Sequence, residues 1–165
     1  MIDYIYKDLF TRSDTKKELL ITFDEGTITN HEMHQGSFTL EESLCSESSL
    51  VFGTCESSVL KFKVHNIFTD LKNKWLDVSL ILNGDTSNPF QIGRFKVVSD
   101  IPTADKKKRD VTAYDVLHDI INSDVSEWYN KILPNVDSTV TMKQFRNSFF
   151  SHFGVDEADI ELVND

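Results

Sequence analysis

The sequence predicts an α+β fold, in which a curved antiparallel β-sheet or barrel-like domain is followed by a small helical lobe. Short segments that alternate apolar and polar residues, separated by turn residues, fill the part of the chain before residue 115. After it the apolar residues recur every three or four positions, as on a helix face. The change falls within 109–129, RDVTAYDVLHDIINSDVSEWY, without an intervening loop. We therefore predict a β-rich domain at 1–114 and, at 115–165, a helical lobe with the start of a further strand.

Composition narrows the class of protein. The 165 residues are 39% hydrophobic, enough for a globular core, and the formal net charge is -10. This charge repels phosphate backbones and anionic lipids, so we expect neither nucleic acid nor membrane as a partner. The basic run Lys106 to Arg109 follows turn residues and is expected to be a solvated loop. No stretch of about 18 apolar residues and no signal-peptide run occurs.

The first strands are predicted from alternation. Leu19 to Phe23 and the residues after Gly26 indicate a hairpin. Ser37 to Glu41 alternates weakly, and Val59 to Val64 alternates clearly, with its lysines on the outer face. The Ser- and Glu-rich segment between these two strands has no clear pattern.

The later strands are joined by a turn with a physical signature. Trp75 to Leu82 is a predicted strand that ends at Asn83 and Gly84, which tolerate positive φ. Phe90 to Val97 resumes the sheet, and its apolar phase shifts across Gly93, which predicts a β-bulge.

In the rest of the chain, after residue 115, the apolar residues have the spacing of helices. One predicted apolar face comprises Leu117, Ile120, Ile121, Val125, Trp128 and Ile132. Asp124 and Glu127 have capping-box spacing and predict a break there, and Pro134 ends the pattern. Thr141 and Gln144 predict a capping box that opens a last helix, which ends at Gly154. Its predicted inward residues are Met142, Phe145, Phe149 and Phe153. Ile160 to Val163 indicates the start of a strand.

No candidate site carries a catalytic or metal-binding signature. His31 and His34 have a spacing of three, whereas the zinc-protease motif needs four on a helix, so both are predicted to be surface residues. His65, His118 and His152 lack acidic and hydroxyl partners at triad spacing, and the last two are predicted on helix surfaces. We expect no catalytic residue, cofactor or metal.

Cysteines and aspartates have more ordinary explanations. Cys45 and Cys55 are expected to be structural thiols rather than a disulfide, a zinc half-site or a nucleophile with its resolving partner. Replacing both is expected to lower stability without abolishing chemistry. Aspartates recur at about every fifth position from Asp100 to Asp124 without the glycine and glutamate of a calcium loop, which favours caps and solvated faces.

Four segments resemble tail hub proteins of bacteriophages and of prophages from Gram-positive bacteria. The junction Val111 to Ile120, with its Ala-Tyr-Asp tripeptide, is similar to their strand-to-helix step. Glu42 to Ser58 resembles their Ser-Leu-Cys-Ser and Phe-Gly-x-Cys-Glu region, and Asn88 to Val97 resembles the strand before the junction. Thr141 to Gly154 is similar to a helix of the same proteins.

This resemblance implies a structural role without catalysis. It implies a barrel-like domain with a helical lobe, in the N-terminal part of a longer hub protein that assembles as a ring, usually a trimer, at the tail tip. Other tail proteins, the distal tail protein and the tape measure, are the implied partners, and the virion tail, assembled in the bacterial cytoplasm, is the implied location. Any peptidoglycan-cutting activity would lie in a separate C-terminal region. Two alternatives stay open: a host-surface or partner-binding β-module of a tail, and a small hydrolase that uses Cys45 or Cys55.

Overall fold

The computed structural model describes residues 11–43, 56–67, 69–104, 106–135 and 138–155. The chain divides into two compact units, 1–115 and 116–165. The described residues form an antiparallel sheet and helices, so the predicted α+β class is confirmed. The strands are β1 (Lys17–Phe23), β2 (Gly26–Thr29), β3 (Thr39–Glu41), β4 (Val59–His65), β5 (Trp75–Leu82), β6 (Phe90–Pro102) and β7 (Lys108–Tyr114). The helices are α1 (Val116–Asn122), α2 (Ser126–Ile132) and α3 (Met142–His152).

The first unit contains one seven-stranded sheet of order β2-β1-β5-β6-β7-β4-β3. Each neighbouring pair is antiparallel. The predicted hairpin is confirmed as β1 and β2, with Ile21 opposite Ile28. The strand predicted at Ser37 to Glu41 is shorter than expected and spans three residues.

The sheet curls until its two ends meet. Met33, which follows edge strand β2, forms an isolated antiparallel bridge with Val64 of β4, near the opposite end of the strand order. The His34 amide donates to the Lys63 carbonyl at 2.8 Å, and the His65 amide donates to the Glu32 carbonyl at 2.8 Å. These bonds nearly close the sheet into a barrel.

The core lies inside this curl because alternate side chains of each strand face inward. In β4 the residues Leu60, Phe62 and Val64 are buried and Lys61 and Lys63 are exposed, as the alternation predicts. Fully enclosed residues come from six of the strands and from the β4–β5 connection: Ile21, Ile28, Leu60, Val64, Leu71, Leu76, Val78, Val97 and Ala113.

Strand β6 contains two irregularities. Val78 lies opposite Gly93 whereas Ser79 lies opposite Gln91, so Ile92 is an inserted residue and the bulge predicted beside Gly93 is confirmed. A side chain at this glycine would place Cβ 3.1 Å from the Phe95 ring. A second shift between Val97 and Ser99 was not predicted.

The β5–β6 turn follows its predicted chemistry. Asn83 and Gly84 have φ values of 53° and 79°. The side-chain oxygen of Asn83 accepts a 2.9 Å hydrogen bond from the Lys16 amide, which ties the turn to the residue before β1.

The second unit is built around an aromatic cluster. The Trp128 ring meets Phe145 edge-on at 5.1 Å and Phe149 at 5.3 Å between centroids, which confirms the predicted packing of these three residues. Helix α3 begins with the predicted capping box of Thr141 and Gln144.

Three details of the helical prediction are wrong. Ile121 and Met142 were expected to face inward but are 56% and 68% exposed, because each lies in the terminal turn of its helix. The N-cap of α2 is Val125, and Asp124 accepts a hydrogen bond from the Ser126 amide instead of forming a capping box. The side chains of Tyr129 and Val140 are also partly exposed to solvent.

The predictions for Cys45, Cys55 and the strand at Ile160 to Val163 lie outside the described residues and stay predictions.

Candidate interaction surfaces

A buried ion pair fixes one end of the sheet. The Asp100 side chain is 0% exposed, although its backbone is partly open. Arg109 Nε donates to Asp100 Oδ1 at 2.7 Å, and Arg109 Nη2 lies 2.6 Å from Asp100 Oδ2. This two-point contact matches the planar guanidinium to the planar carboxylate.

The same pair holds the β4–β5 connection against the sheet. The Leu71 amide donates to Asp100 Oδ2 at 2.9 Å, and Arg109 Nη1 donates to the Thr69 carbonyl at 3.1 Å. Leu71 itself is fully enclosed in the core. The ion pair therefore anchors a loop whose leucine closes one side of the barrel.

The prediction that Lys106 to Arg109 form a solvated loop is wrong for its second half. Lys108 and Arg109 belong to β7, and Arg109 is paired with Asp100. Arg109 is in phase with the buried residues Val111 and Ala113, so the period of two placed its side chain on the inner face. This phase could have predicted the ion pair, because a cation on the inner face of a sheet requires a carboxylate partner.

The aspartates from Asp100 to Asp124 were predicted to be caps or to lie on solvated faces. Asp115 lies at the junction and accepts a 2.9 Å bond from the Ser58 amide, which joins the start of β4 to the end of β7. Asp124 lies one residue before the N-cap of α2 and accepts a 2.9 Å bond from the Ser126 amide, and the hydrogen bonds from Ser126 lower the pKa of Asp124. Asp110 pairs with Lys63 at 3.0 Å on the outer face. Asp100 departs from the prediction, because its side chain is enclosed.

His31 and His34 are exposed, as predicted, and lie on either side of a hydrogen-bonded turn. Glu32 Oε2 accepts bonds from the Thr29 hydroxyl at 2.6 Å and the Thr29 amide at 2.9 Å. These bonds lower the pKa of Glu32 below its ordinary value of 4.5. Met33 is buried in the core. The segment therefore serves as the join between β2 and β4, and in the described ranges no three His, Cys, Asp or Glu groups are placed to hold a metal.

A basic groove lies at the end of the sheet beside this join. It has a volume of about 540 Å³ and is lined by His34, Val64, His65, Asn66, Ile67, Lys106, Lys107, Lys108 and Arg109. His65 lies directly opposite Lys108 in the sheet. The Lys108 ammonium is 3.3 Å from His34 Nε2. The sequence pattern does not reveal this groove, because His34 and His65 come from segments far along the chain from Lys106 to Arg109.

An apolar groove of about 530 Å³ lies on the other side of His34. Its walls come from the residues after β2, from the starts of β1 and β6, and from the end of β5. Leu19 and Met33 are buried there, and Leu80 and Ile92 pack against the core. The remaining lining residues are Lys17, Asn30, His34, Gln35, Gly36 and Phe38.

In the helical unit, His152 and His118 differ in environment. His152 is exposed, as predicted, and its ring lies 6.1 Å from Trp128. His118 is half-buried rather than fully on the surface, with Nδ1 3.9 Å from Asp119 Oδ1. Trp128 Nε1 donates to the Ser148 hydroxyl at 3.0 Å, which satisfies the buried indole.

Comparison with known proteins gives a likeness of fold. No known protein-family profile matches the chain. No curated protein matches it. Among solved structures, the chain is similar to the 43 kDa tail protein of prophage MuSo2 from Shewanella oneidensis, with a TM-score of 0.50 and 11% identity. This fold occurs in a phage tail protein. The superposition covers 84% of this chain and 40% of that protein, so the chain spans less than half of its length, and at 11% identity the likeness concerns the fold alone.

No helix in the described part of the chain has the length and apolar character needed to cross a membrane.

Proposed function

We propose that the chain is a structural component of a phage or prophage tail, that it belongs to the hub or tail tip, and that it acts without catalysis. The observation that carries the proposal is the fold shared with the prophage tail protein over 84% of this chain. The four sequence segments that resemble tail hub proteins supply independent support. One of them is the strand-to-helix junction, where β7 ends at Tyr114 and α1 begins at Val116.

A role as part of a larger assembly protein fits the extent of the likeness. The chain corresponds to 40% of the tail protein that it resembles. We propose that 1–114 and 115–165 are two domains at the N-terminal part of a longer hub protein, which forms a ring and contacts the distal tail protein and the tape measure. The Gram-positive host stays a prediction from the resemblance.

The non-catalytic part of the proposal is supported by the use of the polar side chains. Asp100 and Arg109 bind each other and a neighbouring loop, and Glu32 caps a turn. These groups stabilise the barrel, and their hydrogen-bonding capacity is largely occupied by protein atoms.

Deletion of the gene in a host that carries the phage tests the proposal. We expect induced particles to lack mature tails in electron micrographs and infectivity to return when the wild-type gene is supplied in trans. Intact tails with lost adsorption would instead favour the host-surface module. Normal tails and normal infectivity would contradict both.

Position within the particle separates the hub from other tail roles. Gold-labelled antibody against the chain should mark the tail tip of wild-type particles, and deletion particles provide the control. Label along the tube or on fibres would reject the hub assignment while keeping the tail assignment. Absence of the protein from purified particles, measured by mass spectrometry, would reject the tail assignment itself.

A further inference from the structure

The basic groove gathers cations in a chain that is otherwise acidic. The sequence contains 17 Lys and Arg residues against 27 Asp and Glu residues. Four consecutive cations, Lys106 to Arg109, nevertheless line one groove together with His34 and His65. Lys106 has a φ of 56°, so the turn before β7 bends sharply at this position.

The cations around the groove differ in how they are paired. Arg109 is held by Asp100 and Asp70, and Lys63 by Asp110. The Lys108 ammonium lies 3.3 Å from Nε2 of the His34 imidazole. Within the described part of the chain, neither Lys106 nor Lys108 contacts a carboxylate.

The overall negative charge does not prevent anion binding at this groove. At physiological ionic strength the Debye length is about 8 Å, so distant carboxylates are largely screened. Among the described residues, Asp70, Asp100 and Asp110 are each engaged by a cation. Because these carboxylates are paired, they oppose the positive charge of the groove lysines less than free carboxylates would.

We propose that the basic groove is a binding site for a phosphate group, held by the ammonium groups of Lys106 and Lys108 and by the imidazole of His34 or His65. The available cations are ammonium groups, which act as point charges and bind tetrahedral phosphate without a preferred plane. The guanidinium of Arg109, which could bind either a carboxylate or a phosphate by two contacts, is already bound to Asp100 in this way. The volume of about 540 Å³ admits a phosphate with its substituent. This site does not depend on the proposed tail function.

Titration of the full chain with inorganic phosphate, followed by 1H-15N spectra at constant ionic strength, tests the site. We expect saturable shifts at His34, His65 and the residues from Lys106 to Lys108. The variant Lys106→Ala/Lys108→Ala should bind about tenfold more weakly for each lysine removed, since each supplies a charge-assisted hydrogen bond. The matched control Lys16→Ala/Lys131→Ala removes the same charge from exposed positions outside the groove and should bind as the wild type does.

Two further ligands define the chemistry. Acetate at equal ionic strength should give weak, non-saturating shifts, and equal effects of acetate and phosphate would overturn the proposal. A short poly(glycerol phosphate) that binds more tightly than inorganic phosphate would identify a polymer as the source, whereas weaker binding would identify a free phosphate. Absence of saturable shifts in the wild type, or unchanged affinity in the double lysine variant whose spectrum is otherwise native, would also overturn it.

Discussion

Removal of the Asp100 carboxylate should destabilise the barrel more than any other single charge change in its sheet. Asp100→Ala leaves the Arg109 guanidinium without its main partner and the Leu71 amide without its acceptor. The Asp100 side chain is 0% exposed and that of Arg109 is 20% exposed, so water can replace the lost carboxylate only in part. Breaking a buried ion pair by removing one partner costs about 3 to 5 kcal/mol. Because Arg109 retains some access to solvent, we expect a loss of about 3 kcal/mol.

A matched control lies on the neighbouring position of β7. Asp110 pairs with Lys63 at 3.0 Å, but these side chains are 48% and 46% exposed. Asp110→Ala removes the same charge and should cost less than about 1 kcal/mol, as exposed ion pairs do. The double variant Asp100→Ala/Arg109→Ala should lose less than the sum of the two single variants, because the second change removes the isolated charge.

Urea unfolding measures the difference in stability between Asp100→Ala and Asp110→Ala, provided that the fluorescence signal comes from the barrel alone. The chain has two tryptophans, Trp75 in β5 and Trp128 in α2. In a Trp128→Phe background, Trp75 fluorescence reports the sheet, and the free energy of unfolding follows by linear extrapolation. If Asp100→Ala and Asp110→Ala agree within about 1 kcal/mol, the buried pair does not anchor the loop in the way that its geometry indicates.

Three further changes test local features. Gly84→Ala should cost about 1 kcal/mol in the same urea assay, because φ is 79° at this turn position, and an unchanged midpoint would contradict the turn. Thr141→Ala should lower the stability of the helical unit by about 1 kcal/mol, measured by Trp128 fluorescence, whereas Thr141→Ser should retain the cap. Glu32 has a lowered pKa, so its contribution is present above the unfolded-state value near 4.5 and is lost as pH falls through the folded value. Glu32→Gln should therefore flatten the stability-pH curve below about pH 5, and an unchanged curve would reject the Thr29 contact as its cause.

Local periodicity explains why most strands and helices were predictable. The alternation of β4 and β5 gives their inner faces directly, since one face of each strand is buried. The bulge beside Gly93 could be predicted from the sequence, because one inserted residue shifts the alternation of apolar residues along the strand. The bulge at Val98 could not be predicted, because the residues after it, Ser99 and Asp100, are polar and do not continue the apolar alternation.

The candidate sites required information that periodicity does not contain. The Asp100–Arg109 pair forms because the fold brings both side chains to the same end of the sheet. Only one sign of this pair is local in the sequence: Arg109 is in phase with the buried residues of β7. The basic groove needs His34 and His65 beside Lys108, and only the curl of the sheet brings these three residues together. Pairings across the barrel are non-local, so a pass along the chain cannot supply them.

The position of β6 in the strand order has a consequence for the order of folding. β5, β6 and β7 are consecutive in the chain and adjacent in the sheet, and β6 pairs with β5 through its first half and with β7 through its second. Their pairings close short loops, whereas β1 with β5 and β4 with β7 must close loops of dozens of residues. We therefore expect the three-stranded meander to form first and to act as a template on which β1 and β4 are added from opposite sides. In kinetic terms, substitutions in β6 should slow folding, and substitutions in the join at Met33, which completes the curl last, should mainly accelerate unfolding.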